Sequence, residues 1–234
     1  MAEVLVLEKI NSYYGKSHIL FDVSAVVREG ETLCLMGRNG AGKSTTFKSI
    51  VNVVTPKSGR VVFNGRNITG IKSYKIARLG LGLVPEDRKI FGPLTVRENL
   101  TLGTSSGRKG IWNVDMVYEF FPVLKEFQGR AGGTLSGGEQ QMLTIARTLM
   151  GNPAVLLLDE PTEGLSPVMV KTLKDLVLKL KEVGTTILLS EQNIKFAMAV
   201  SDSVVIIDKG YIRYGADIET FRKDDAIKKQ YLAV

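Results

Sequence analysis

The sequence predicts an α/β fold organised around a strand–loop–helix unit in its N-terminal third. The first observation is Gly37-Arg38-Asn39-Gly40-Ala41-Gly42-Lys43-Ser44, which fits the pattern G-x-x-x-x-G-K-[ST]. The second is its setting. Residues 31–36 are apolar enough for a buried strand, and residues 45–53 carry Phe47, Ile50 and Val51 at helical spacing. The third is a later apolar run, residues 155–158, that ends in Asp159-Glu160.

The residue types in the loop follow from phosphate chemistry. Gly37, Gly40 and Gly42 let the backbone curl, with Arg38, Asn39 and Ala41 between them, until several N–H groups face one anion. The helix that opens through Ser44, Thr45 and Thr46 adds unpaired N–H donors and a favourable dipole. Lys43 can reach β- and γ-phosphates, and the Ser44 hydroxyl can ligate Mg²⁺. Asp159 can hold Mg²⁺ through its water shell, and Glu160 can orient or deprotonate an attacking water.

With 234 residues the chain has room for one large domain or a core with a subdomain. The single cysteine, Cys34, excludes an intramolecular disulfide, fits a reducing compartment, and reads as a small buried apolar residue. Lys and Arg number 31 against 24 Asp and Glu, giving +7 with no long run of like charge. That balance suits ATP, an anionic membrane face or nucleic acid, and equally a solvated surface. The first residues lack the basic flank and apolar core of a signal peptide, and no stretch reaches membrane-span length. The expectation is a soluble chain able to dock on a membrane protein.

Taken in order, residues 4–7 and 21–27 read as strands. The segment between them holds Tyr13 and Tyr14, one of which can stack on a purine. After the loop helix, residues 60–63 read as a strand and Asn64-Gly65 as a tight turn. Residues 71–79 read as a helix and 81–84 as a buried strand. Pro85-Glu86-Asp87-Arg88 breaks the pattern. Thr95 and Glu98 have capping-box spacing, and residues 96–127 read mainly as helices, with a break at Pro122 and Trp112, Phe120 and Phe121 as packing. Residues 87–132 therefore form a helical insertion.

Leu135-Ser136-Gly137-Gly138-Glu139-Gln140-Gln141 then opens a helix running through residue 149, again with a capping box from Ser136 to Glu139. Two glycines cost a helix interior roughly 1 kcal/mol each, less in the first turn. They leave N–H groups open to a close-approaching anion. Pro167 sits at the first position of the next helix, which Gly184 ends. Residues 185–189 are a buried strand leading to Glu191-Gln192-Asn193. A helix (194–200), strands at 204–208 and 211–214, and short basic helices from 217 complete the chain.

The P-loop, the LSGGEQQ segment and the Asp-Glu strand end, in this order, resemble the ATPase subunit of ABC transporters over essentially the whole chain. The resemblance implies one domain over 1–234, with a RecA-like core, an N-terminal antiparallel β-subdomain and a helical subdomain (about 87–132, plus the signature helix 136–150). It implies ATP and Mg²⁺ as ligands and a head-to-tail dimer. Each ATP would lie between the P-loop of one subunit and Ser136, Gly137, Gly138 and Glu139 of the other. Tyr14 matches the aromatic that stacks on adenine. Glu86 stands where most relatives have a glutamine near Mg²⁺ and water, Gln192 where most have a switch histidine, and Ser166 where an aspartate is usual. The implied catalytic set is Glu160, Lys43, Gln192 and Glu86; the implied metal set is Ser44, Asp159 and Glu86. His18, the sole histidine, fits a surface or packing role.

Glu86 together with Gln192 is similar to the LivF-type branch, which serves branched-chain amino acid importers. The implied protein is a motor on the inner face of the cell membrane, bound to transmembrane permease subunits and a second ATPase subunit. An extracytoplasmic binding protein would act indirectly, and no nucleic acid is expected. Urea or short amides are the alternative substrate. A soluble ATPase acting on nucleic acid, ribosomes or an assembly scaffold is the alternative function, though such proteins usually carry two cassettes or long insertions. A small-molecule kinase fits the LSGGEQQ helix and the Asp-Glu pair poorly. Gln192 cannot titrate as histidine does, so Glu160 is expected to dominate hydrolysis.

Overall fold

The structure is a computed structural model that describes residues 2–232. Its N-terminal hairpin is longer than the sequence suggests. β1 (Glu3–Tyr14) and β2 (Ser17–Arg28) pair antiparallel around Gly15-Lys16, with Tyr13 opposite His18. The segment 11–16, expected to connect two short strands, is thus mostly strand itself. Register shifts between Leu7 and Ile10 and between Ile10 and Ser12, with positive φ at Lys9 and Asp22, explain the miss. Bulges break the period-two alternation that marks a strand.

β3 (Thr32–Met36) leads into the P-loop and α1 (Lys43–Ile50) leaves it. The helix starts earlier than predicted because Gly42, at φ 116°, turns the loop directly into it. It ends before residue 53 because the N–H groups of Val53 and Val54 fold back onto the Lys48 carbonyl. β4 (Ser58–Phe63) pairs with β1, and β5 (Arg66–Asn67) closes the Asn64-Gly65 turn. These strands form an antiparallel sheet ordered β2-β1-β4-β5.

α2 (Ser73–Leu79) and β6 (Leu81–Val84) come next, then three helices, α3 (Val96–Gly103), α4 (Val114–Phe120) and α5 (Pro122–Glu126). The remaining chain alternates α6 (Gly137–Leu149), β7 (Val155–Asp159), α7 (Pro167–Glu182), β8 (Thr186–Glu191), α8 (Ile194–Val200) and β9 (Ser203–Asp208). β10 (Tyr211–Asp217) runs past its expected end at 214, and α9 (Ile218–Lys223) and α10 (Asp225–Leu232) follow. The second sheet is ordered β10-β9-β3-β8-β7-β6; all but β10 are parallel.

The central strands β3, β7 and β8 are buried at every position, on both faces, which is why they read as unbroken apolar runs. Leu33, Leu35, Val155, Leu157 and Leu188 face a core shared with α1 and the antiparallel sheet. Cys34, Met36, Leu156, Leu158 and Leu189 face the other core, shared with α6, α7 and α8. Leu100, Val117, Phe121 and Leu124 of the helical segment join this second core beside Leu143 of α6, and Trp112 meets Phe120 edge-on at 4.9 Å.

The topology places the site. β3, β8, β7 and β6 are neighbours and parallel, so their C-terminal ends share one edge. The P-loop, Glu191-Gln192, Asp159-Glu160 and Glu86 all follow those ends. In such sheets ligands bind outside the carboxyl ends of the strands.

Candidate nucleotide site

The P-loop is shaped by close backbone approach. A Cβ at Gly37 would lie 2.5 Å from the Ile207 carbonyl of β9, and one at Gly42 would lie 2.9 Å from Leu20. Gly42 is the N-cap of α1 and offers no capping side chain, so the first-turn N–H groups remain available to an anion. Lys43 is only 3% exposed and curls over the loop. Its Nζ donates to the Gly37 carbonyl at 2.6 Å and the Arg38 carbonyl at 2.9 Å, and lies 3.3 Å from Glu160 Oε1. Thr46 donates its hydroxyl to the Gly42 carbonyl.

Asp159 and Glu160 differ although adjacent. Asp159 is buried and accepts the Ser190 hydroxyl at 2.7 Å. Burial raises its pKa; hydrogen bonds from Ser190 and Ser44 and the charges of Lys48 and Lys43 oppose the rise. Ser44, in the first turn of α1, is near enough to Asp159 to favour its charged form. Glu160 has φ 44°, a left-handed conformation that costs a non-glycine residue of order 1 kcal/mol. Ser190 braces it, accepting the Glu160 N–H at 2.9 Å on its hydroxyl and 3.2 Å on its carbonyl. Burial pushes Glu160 up to about 7, against the pull of Lys43 and reinforced by Glu163. Its Oε2 is buried without a hydrogen-bond partner, an acceptor that a water would satisfy.

Glu86 is exposed beyond β6; partial desolvation, with the nearby charges of Glu163 and Asp159, raises its pKa, and Lys48 opposes. Gln192 is exposed at the end of β8, its N–H held by the Glu191 carboxylate. Glu191 was not singled out by the sequence reading. An acid ending an apolar strand, the signal that marked Asp159, would have found it.

The two tyrosines part company. Tyr13 stacks on His18 at 4.0 Å, His18 packs against Phe21 at 3.8 Å with the rings tilted by 40°, and Phe21 stacks on Tyr211 at 4.6 Å. Lys57 caps this column over Tyr13 and Arg213 caps it over Tyr211. His18 is thus a packing residue. Tyr14, at the hairpin turn, is 47% exposed and the tyrosine left free to stack on a base.

The signature segment opens α6 with a full capping box: Ser136 Oγ accepts the Glu139 N–H, and Glu139 accepts the Ser136 N–H at 2.7 Å. The Ser136 hydroxyl keeps its own proton to donate. A Cβ at Gly137 would meet the Arg88 guanidinium at 2.9 Å, and one at Gly138 the Met169 side chain at 2.6 Å. The glycines thus also make room for these neighbours. This helix end opens beside Arg88 and Met169, whereas the P-loop packs on β9.

The donors suit Mg²⁺ bound with nucleotide. Among the described residues no group of three or more His, Cys, Asp or Glu gathers to hold a metal by protein ligands alone. Mg²⁺ keeps waters and phosphate oxygens and needs few protein groups; the Ser44 hydroxyl, and the Asp159 carboxylate through the water shell, are the candidates to hold it.

The sequence profile of the ABC transporter family matches residues 20–163. The "High-affinity branched-chain amino acid transport ATP-binding protein BraG" of Pseudomonas aeruginosa is 41% identical over 89% of this chain and 91% of its own. The "Probable branched-chain amino acid transport ATP-binding protein LivF" of Archaeoglobus fulgidus is 36% identical over 97% of each chain. The crystal structure of a nucleotide-free ATP-binding cassette from an ABC transporter superposes with a TM-score of 0.86 at 26% identity, covering 99% of this chain and 98% of its own. The chain therefore belongs to the ABC transporter family, as one of its ATP-binding cassettes.

Proposed function

We propose that this chain is the ATP-hydrolysing motor of an importer for branched-chain or other neutral amino acids. The observation that carries the motor reading is the pairing of Lys43, which follows β3, with Glu160, which follows β7, across the end of the intervening strand β8. Lys43 and the P-loop N–H groups hold the phosphates. Bound Mg²⁺ would neutralise charge on the β- and γ-phosphates. Glu160 accepts a hydrogen bond from water and receives its proton as the water oxygen attacks phosphorus, giving ADP and phosphate. Gln192 donates to the γ-phosphate, and Glu86 would help hold bound Mg²⁺ or the attacking water. Ser136 and the Gly137 and Gly138 N–H groups serve the ATP of a facing subunit, so a second cassette completes each site.

The import reading is supported by the names of BraG and LivF together with the Glu86–Gln192 pair. The permease surface is a groove of about 500 Å³ between α2, α3 and α6, lined by Tyr74, Arg78, Phe91, Leu102 and Arg147. Its three apolar side chains are about half exposed, and Arg147 Nη1 lies buried there without a partner. Among the described residues no helix is long and apolar enough to cross a membrane, so the chain would sit on the inner face through this groove. The nucleic-acid reading gains nothing from the aromatic column, whose faces are already stacked and capped.

The test is reconstitution with whichever permeases and binding protein the neighbouring genes are found to encode. ATP hydrolysis should rise when the binding protein carries leucine, isoleucine or valine. Stimulation by urea or short amides instead would shift the substrate; co-purification with nucleic acid rather than permeases would sink the import reading.

A further inference from the structure

Three turns of the site converge on Glu191. It is the last residue of β8 and is 1% exposed. Its Oε1 accepts the Thr162 N–H at 3.2 Å, and its Oε2 accepts the N–H groups of Gln192 at 3.1 Å and Asn193 at 3.0 Å. Its carbonyl accepts the Gly37 N–H at 3.4 Å. Among the described residues it joins none of the ion pairs.

A buried carboxylate without a cation is costly unless its oxygens are hydrogen-bonded. An apolar side chain here would simply continue a strand that is buried at every position. The chain instead keeps a carboxyl group whose partners all belong to site turns. Thr162 lies two residues after Glu160, Gln192 is the switch position itself, and Gly37 opens the P-loop. Gln192 brings no charge to the phosphate, so its value lies in placement.

We propose that Glu191 is a positioning residue for hydrolysis: its carboxylate locks the Gln192 backbone to the turn that follows Glu160, so both side chains meet the γ-phosphate in one geometry. The proposal rests on the reading of the chain as an ATP-hydrolysing motor. Glu191 does not itself touch the reacting atoms.

The test uses the full chain with Glu191→Gln and Glu191→Ala, and Gln192→Ala alone and combined with Glu191→Gln. Glutamine keeps the shape but offers one acceptor oxygen in place of two. The expected result is a loss in kcat of about tenfold or more, with KM for MgATP and Kd for MgADP within about threefold. Gln192→Ala should lower kcat several-fold in the wild type but less than about twofold further on the Glu191→Gln background, because both act through one placement. If Glu191→Ala does not fold, Glu191→Gln decides alone, its melting temperature measured alongside. An unchanged kcat in Glu191→Gln, additive losses in the double variant, or a loss that tracks melting overturns the proposal while the motor reading stands. A wild-type chain that hydrolyses no ATP overturns both.

Discussion

Replacing Glu160 with glutamine should stop turnover and, in the nucleotide-free protein, raise stability above neutral pH. Burial lifts this carboxyl from its ordinary 4.5 to about 7. The folded protein therefore binds its proton more tightly than the unfolded chain does. The stability this contributes is fully present below the unfolded value of 4.5 and is lost as pH rises through about 7. A shift of about 2.5 units corresponds to ~3 kcal/mol at most. Two effects reduce that figure for the variant. Water screens part of the interaction, and glutamine leaves Lys43, 3.3 Å away, without its anion. A gain of roughly 1–2 kcal/mol near pH 8 is the expectation, with little difference near pH 5. Glutamine preserves size and does not alter the left-handed backbone demand, so the comparison isolates charge. Urea unfolding without Mg²⁺ or nucleotide measures it, with equal slopes as the check that only stability changed. Hydrolysis of MgATP should fall by about a hundredfold or more, while ATP still closes the dimer. A variant less stable than wild type near pH 8 would show that pairing with Lys43, not desolvation, governs this carboxyl.

Gln192→Ala should reduce kcat far less than Glu160→Gln; equal inactivation in a steady-state phosphate-release assay would reverse that ranking. Tyr14→Ala should raise KM for ATP several-fold with an unchanged melting temperature, since an exposed ring contributes a stacking face worth about 1 kcal/mol and little packing. Tyr13→Ala should do the opposite, because it removes the ring between Lys57 and His18. A shared KM effect would mean that the hairpin, rather than one ring, sets nucleotide affinity.

The parts of the site legible in the sequence are those written locally. The P-loop lies within eight residues, both capping boxes within four, and the acid of β7 directly follows its apolar run. The core sheet was legible because burial on both faces leaves continuous apolar strands. The two strands of the N-terminal hairpin were legible but their full length was not, because bulges destroy the alternation between residues 7 and 12. What holds the site residues in place was also hidden. Ser190 reaches back 31 residues to Asp159, and Glu191 reaches 29 to Thr162. Nothing in a local pattern says which distant N–H a buried acid will meet.

The same long-range bracing explains how the site can move the groove. Arg88 and Lys89, two and three residues after Glu86, both have positive φ, at 60° and 48°. Such a turn persists only if its surroundings hold it. They do so from α6: Thr144 donates its hydroxyl to the Arg88 carbonyl at 3.0 Å, and Arg147 donates to the Lys89 carbonyl at 2.9 Å. Arg147 also lies over the Phe91 ring, at 5.2 Å, on the wall of the groove. A shift of Glu86 would therefore pull on α6, whose first turn is proposed to serve a facing ATP, and on the groove proposed for the permease. Arg147→Lys keeps the charge but loses the guanidinium, whose Nη2 donates to the Arg88 carbonyl at 3.4 Å as well as the Lys89 carbonyl and whose plane lies over Phe91. It should leave the basal hydrolysis of the isolated chain within about twofold and reduce stimulation by the loaded binding protein about tenfold in the reconstituted complex. Equal losses in basal and stimulated rates would place Arg147 in folding or chemistry and break the proposed link between Glu86 and the membrane.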